Sequence, residues 1–139
     1  MSLVKKLKSH KARTIIPAIV APMFLVSGPR LVIESCKAGL IGSFPGQNAR
    51  TIEELMDWFE EISSQISFKH APWAFNMITH TSYGRFDEEI RLVEKFQPQI
   101  VITALGGPHR VTKVVHKYGG IVFADVNSPK FARKAIDKG

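Results

Sequence analysis

Short apolar runs alternate along the chain with segments in which apolar residues recur every three or four positions. The runs are Ile15–Ala21, Leu40–Ser43, Trp73–Ile78, Ile100–Ala104 and Ile121–Ala124. Their length predicts strands rather than helices, and most are continuously apolar. A strand of that kind has both faces covered, as in a parallel sheet flanked by helices.

The intervening segments carry helix start and stop signals. After the first run, Ser27, Pro29 and the stripe Leu31, Ile33, Cys36 predict a helix that Gly39 stops. Thr51-Ile52-Glu53-Glu54 is a capping-box pattern, in which the Thr hydroxyl accepts from the Glu54 backbone and the Glu54 carboxylate reaches back. From there Ile52, Leu55, Met56, Phe59, Ile62 and Ile66 keep helical spacing. Asp87 opens a further helix with Ile90, Val93 and Phe96 on one face. Gly107-Pro108 starts the next, which carries Val111, Val114, Val115 and Tyr118 and ends at Gly119-Gly120. Ser128-Pro129 starts the last, with Phe131, Ala132, Ala135 and Ile136, and Gly139 falls where a C-terminal stop belongs.

Five consecutive βα units predict a parallel α/β fold, either a doubly wound sheet or a (β/α)8 barrel. The first strand-to-helix turn, APMFLVSG, contains no GxGxxG, and the chain has no P-loop, so a dinucleotide cradle is not expected. Read as a barrel, the chain supplies five units of a partial (β/α)8 TIM barrel. The expectation is an N-terminal portion, residues 14–139, of a longer protein, or a half-barrel that pairs with something. Its two unpaired strand edges predict self-association.

Charge changes this picture little. The formal net charge is +7 over 139 residues, yet Lys5, Lys6, Lys8, Lys11 and Arg13 supply five of those charges before the first acid, Glu34. The excess reads as a basic leader, residues 1–13, solvated rather than acting as a targeting peptide or a phosphate-contacting arm. No aromatic residue is interleaved with it, so nucleic acid is not an expected partner. No apolar run approaches the roughly 20 residues of a membrane helix, so no membrane association is expected. The lone cysteine, Cys36, excludes an intrachain disulfide, fits a cytoplasmic setting, and reads as a small buried hydrophobe rather than a reactive thiol.

In parallel α/β folds chemistry gathers at the carboxyl ends of the strands. Here those ends are Ala21-Pro22-Met23, Ser43-Phe44, Asn76-Met77, Thr103-Ala104-Leu105-Gly106 and Asp125-Val126-Asn127. They are mostly neutral and apolar, with amides and hydroxyls. The absence of a His, Asp and Glu cluster disfavours a metal centre or an acid–base hydrolase. A flat, uncharged, hydrogen-bonding ligand such as a flavin ring suits them.

The stretch APMFLVSGPRLVIESCKAGLIGSF resembles the opening of the nitronate monooxygenase family, formerly 2-nitropropane dioxygenases. WAFNMI is similar to that family's third strand, and VITALGG and YGGIVFADVNSPKFARKAIDKG to its fourth and fifth units. The resemblance covers the chain from about Thr14. It implies a (β/α)8 barrel binding FMN, with the backbone of Ala21, Pro22 and Met23 along the isoalloxazine, Met23 packed on the ring, and Asn76 bonded to its polar edge. It also implies oxidation of alkyl nitronates with O2. The family's catalytic His and its phosphate loops fall beyond Gly139, so no catalytic residue is expected here, and neither tight FMN binding nor turnover by this chain alone.

Of the histidines, His80, in the loop after the third run, is the candidate substrate contact. His109 and His116 share a helix face without a carboxylate or Cys partner and read as solvated, not as metal ligands. A flavin-dependent enoyl reductase of the same barrel group, using NAD(P)H, shares every motif quoted and is the alternative. A non-catalytic half-barrel remnant is the other.

Overall fold

The computed structural model describes residues 13–138. Apart from Arg13, the basic leader lies outside the described residues, as does the helix stop expected at Gly139. Four strands, β1 (Gly42–Pro45), β2 (Trp73–Ile78), β3 (Ile100–Ala104) and β4 (Ile121–Ala124), form one sheet among these residues, in that order. All neighbouring pairs are parallel, with Ala74 opposite Ile100 and Ile100 opposite Ile121. Helices α1 (Pro29–Lys37), α2 (Ile52–Gln65), α3 (Phe86–Phe96), α4 (His109–Lys117) and α5 (Pro129–Asp137) alternate with them. The chain has the architecture of a partial (β/α)8 barrel.

One expected strand is reduced. The run Ile15–Ala21 predicts a strand, but within it only Ile19 forms a parallel bridge, to Ile41. Two backbone bonds hold it: Val20 N–H donates to the Ile41 carbonyl and Ile41 N–H to that of Ala18. The prolines explain the shortfall. Pro17 has no N–H to give, Ala18 N–H turns back to the Ile16 carbonyl, and Pro22 removes the donor after Ala21. The second run also slips. It becomes a strand only at Gly42, because Gly39 adopts a φ of 81° and Leu40 N–H is spent on the Ser35 carbonyl, closing α1.

Between the sheet and the helices lies an aromatic core. Phe59 of α2 sits with its ring 5.2 Å from Trp73, 4.8 Å from Phe75 and 5.4 Å from Phe96. Val32, Cys36, Leu55, Ile62, Val93 and Val115 pack around it. The other face of the sheet carries Ile41, Ala74 and Ile100, backed by Ile19, Ile102 and Phe123. This smaller apolar layer is the inward face of the partial barrel. Side chains alternate between the two layers along β2: Phe75 and Met77 face the helices, whereas Ala74 and Asn76 face inward.

Candidate ligand site at the strand ends

Because the strands are parallel, their carboxyl ends share one rim, and the loops that follow them meet there. The loop after the first run, Ala21–Gly28, is the most distinctive. Ala21 and Met23 are exposed and Pro22 is half-buried, while Phe24, Leu25 and Val26 stand out at 65%, 79% and 67% of full exposure. Leu25 has φ 63°, the left-handed region that a leucine rarely occupies. Backbone strain of this kind persists only where surrounding contacts over-determine it.

Two side chains provide those contacts. Buried Ser27 folds the loop on itself: its Oγ accepts from Met23 N–H at 3.0 Å and donates to the Ala21 carbonyl at 3.2 Å. Asn48, from the short 3-10 turn Gly46–Asn48 after β1, reaches across. Its Oδ1 accepts from Leu25 N–H at 2.9 Å. Its Nδ2 donates to the Met23 carbonyl at 2.9 Å and to the Ser27 carbonyl at 2.7 Å. Only this orientation of the amide satisfies all three bonds.

A second cluster supports the Asn48 turn. Arg85 Nη1 donates to the carbonyl of Ala49 at 2.9 Å. Arg85 Nε lies 3.5 Å from Glu89 Oε1, which also accepts from the Tyr83 hydroxyl at 2.6 Å. Glu89 is fully buried. Burial raises its carboxyl above the usual range against the opposing pull of Tyr83 and Arg85, and burial together with the Glu89 bond raises the Tyr83 phenol. Gly46 is what lets the turn sit here, since a Cβ would come 2.9 Å from the Phe75 ring.

The residues expected to face a ligand fall into three situations. Ala21, Pro22 and Met23 lie on the rim, but the Ala21 carbonyl and both polar backbone groups of Met23 are engaged by Ser27 and Asn48. What they offer a ligand is therefore chiefly apolar surface. Asn76 lies on the inward face of β2, opposite Pro45 and Ile102, and is almost buried; its Nδ2 donates to the Ile102 carbonyl at 3.2 Å. His80 lies in the loop after β2, exposed. Its Nδ1 accepts from Ser82 N–H at 3.2 Å and lies 2.7 Å from the Ser82 hydroxyl. The His80 carbonyl accepts from Arg110, whose guanidinium lies over the Phe86 ring at 3.5 Å.

Two features escape a reading of the sequence. One is the Asn48 hub, whose signal is an amide inside the turn Pro45-Gly46-Gln47-Asn48. The other is a pocket of about 460 Å³ between the loops after β3 and β4, lined by Leu105, Val126 and Phe131 with His109, Asp125 and Lys134. Leu105, like Leu25, is an exposed leucine in the left-handed region, with φ 53°. His109 and His116 are both exposed. Among the described residues no group of three His, Cys, Asp or Glu side chains is arranged to hold a metal. Cys36 is buried, donates to the Pro72 carbonyl at 3.4 Å, and has its thiol pushed up to about 11 by burial. No helix among these residues is long and apolar enough to cross a membrane.

Neither a protein-family model nor a curated protein matches the chain. Solved structures do. The chain is similar to FabK from Thermotoga maritima, with a TM-score of 0.80 at 18% identity over 97% of this chain and 41% of that one. To the M276A mutant of the same protein the TM-score is 0.79 at 19% identity, over 99% and 43%. The enoyl reductase domain of MlnA, from the macrolactin biosynthesis cluster of Bacillus amyloliquefaciens, gives 0.72 at 18% identity, over 94% and 32%. At these identities the likeness establishes the fold, and the chain spans about two fifths of the FabK structures.

Proposed function

We propose that the chain forms the flavin-ring side of a (β/α)8 oxidoreductase. The carrying observation is the strand-end loop Ala21–Ser27, pinned with Leu25 in a strained conformation while leaving an apolar surface exposed. A side chain packed on a ring face wants no competing charge. Met23, which is 39% exposed, provides a polarizable surface of that kind. Asn76 lies nearly buried on the inward face, where an amide can meet the polar edge of a ring. The ring is what these residues fit; the resemblance assigns the phosphate to loops after later strands.

When bound, FMN supplies the hydride and electron chemistry. The residues present orient the ring and exclude water from one of its faces. Pro22 withholds a backbone donor and stiffens the turn, and Asn76 would hydrogen-bond the polar edge of the ring.

Two reactions suit such a half-site. Enoyl reduction with a nicotinamide donor is favoured by the fold shared with the enoyl reductase domain of MlnA. Nitronate oxidation with O2 is favoured by the order and spacing of APM, KAGLIGS and FNM. Assayed in a flavin-loaded complete barrel that includes this chain, NADH consumption with an enoyl thioester supports the first, and O2 uptake with an alkyl nitronate supports the second. The common premise is tested by polarisation of FMN fluorescence on titration with the chain. A rise that Met23→Ala and Asn76→Ala each weaken is expected, and a flat titration at every protein concentration would sink the flavin reading.

A further inference from the structure

We infer that Asn48 is the positioning residue of the Ala21–Ser27 loop, its single amide holding Met23, Leu25 and Ser27 in the arrangement that receives a planar apolar ligand. The ligand half of this inference rests on the flavin reading above; the pinning half does not. The geometry is specific. Three hydrogen bonds of 2.7–2.9 Å run from one side chain to backbone groups of three residues, 21 to 25 positions away in sequence. The residue held at the centre, Leu25, has the least reason to adopt its conformation unaided, being an exposed apolar side chain at φ 63°. Helix and sheet ladders contribute nothing to the loop between Pro22 and Gly28, so its shape depends on Asn48, Ser27 and two local backbone bonds onto the Met23 carbonyl.

Asn48 is itself anchored from the opposite side. The next residue, Ala49, is fully buried and its carbonyl takes the Arg85 guanidinium, which is tied to buried Glu89. Position is therefore relayed across three loops, from the one after β2, to the one after β1, to the one after the first run. No other amide type substitutes cleanly. A Gln is one methylene longer, and an Asp keeps the acceptor for Leu25 while turning both donors into a negative oxygen facing two carbonyls.

Amide exchange by NMR on the whole chain decides the pinning. In the wild type the Leu25 amide should be protected although its side chain is exposed. Asn48→Ala should accelerate Leu25 exchange roughly tenfold, the loss of one ordinary hydrogen bond, while amides of β2 and β3 keep their rates. Asn48→Asp should retain Leu25 protection and lose order at Met23 and Ser27, a separation that a merely structural filler would not produce. Unchanged Leu25 exchange in Asn48→Ala overturns the inference. If Asn48→Ala fails to fold, Asn48→Asp decides alone, and Leu25 exchange as fast as in an unstructured peptide overturns it. FMN is the ligand probe: weaker binding by Asn48→Ala, by about tenfold, is expected, and equal binding overturns the ligand half. Absence of FMN binding by the wild type overturns the flavin reading, and Leu25 exchange then settles the pinning independently.

Discussion

The interior of the sheet and its β4 side are built to different standards. β2 lies between two partners and is buried at five of its six positions, with the Phe59 ring against both Trp73 and Phe75 on the helix side. β4 is an edge strand, buried only at Ile121, and α5 beyond it buries no residue at all. Yet α5 has the same amphipathic design as the others, with Phe131 and Ile136 half and three-quarters exposed. A capped helix with an apolar stripe and no buried residue among the described residues shows that local signals suffice to form a helix, whereas burial requires a neighbour. In a (β/α)8 barrel the neighbours of such an element are a further strand and helix.

Core substitution should separate the two regions most strongly. Phe59→Ala removes a fully buried ring and should destabilise by about 3–5 kcal/mol in urea unfolding. Ile136→Ser, on the exposed stripe, should stay within about 0.5 kcal/mol. Comparable losses at both sites would mean that α5 is packed in solution after all. The helix caps refine the contrast. Thr51 accepts from Glu54 N–H at 3.1 Å, and Ser128 accepts from Phe131 N–H at 3.3 Å. Thr51→Ala should lower global stability by about 1 kcal/mol, whereas Ser128→Ala should raise amide exchange within α5 and leave the unfolding midpoint in place.

A smaller effect concerns the buried carboxyl. Glu89 has a raised pKa in the folded chain, so the native state holds its proton more tightly than the unfolded state. The associated stability is present below the unfolded carboxyl range, about 4.3 for glutamate, and is lost as pH rises through the folded value. Stability of the wild type relative to Glu89→Gln should therefore decline as pH rises across that window. A flat difference would show that Arg85 and Tyr83 fully offset the burial. Smallest in energy is the thiol. Cys36 should be inert to a disulfide reagent in the folded chain and react at once after denaturation; native reactivity would place the α1–β2 contact among mobile regions.

Much of the scaffold is legible in residue order. The limits of β2, β3 and β4 coincide with the apolar runs, because strands covered on both faces are built almost wholly from apolar residues. The Thr51 cap and the Gly39 and Gly119 stops are local chemistry, readable over four residues. The Glu54 carboxylate does reach back, but to Arg50 N–H, one residue further than expected. What is not legible is non-local or competitive. Ile15–Ala21 is apolar enough for a strand, but Pro17 and Pro22 leave it only one bridge. Ala21–Met23 stands out as a rim, yet nothing local reveals that its polar groups are already taken. Asn48, Ala49 and Arg85 become a unit only once three loops are folded against one another.

Gly106 gives that rim a mechanical property. A Cβ at this position would come 2.6 Å from Thr79 Oγ1 and 2.8 Å from His80 N, so the segment after β3 lies directly on the segment after β2. Thr79 and His80 are held from beyond by Arg110, which donates to both their carbonyls. The two loops behave as meshed parts rather than independent flaps. Whatever displaces Leu105 and the pocket beside it pushes on His80 as well, and a side chain of any size at position 106 would separate the two halves of the rim.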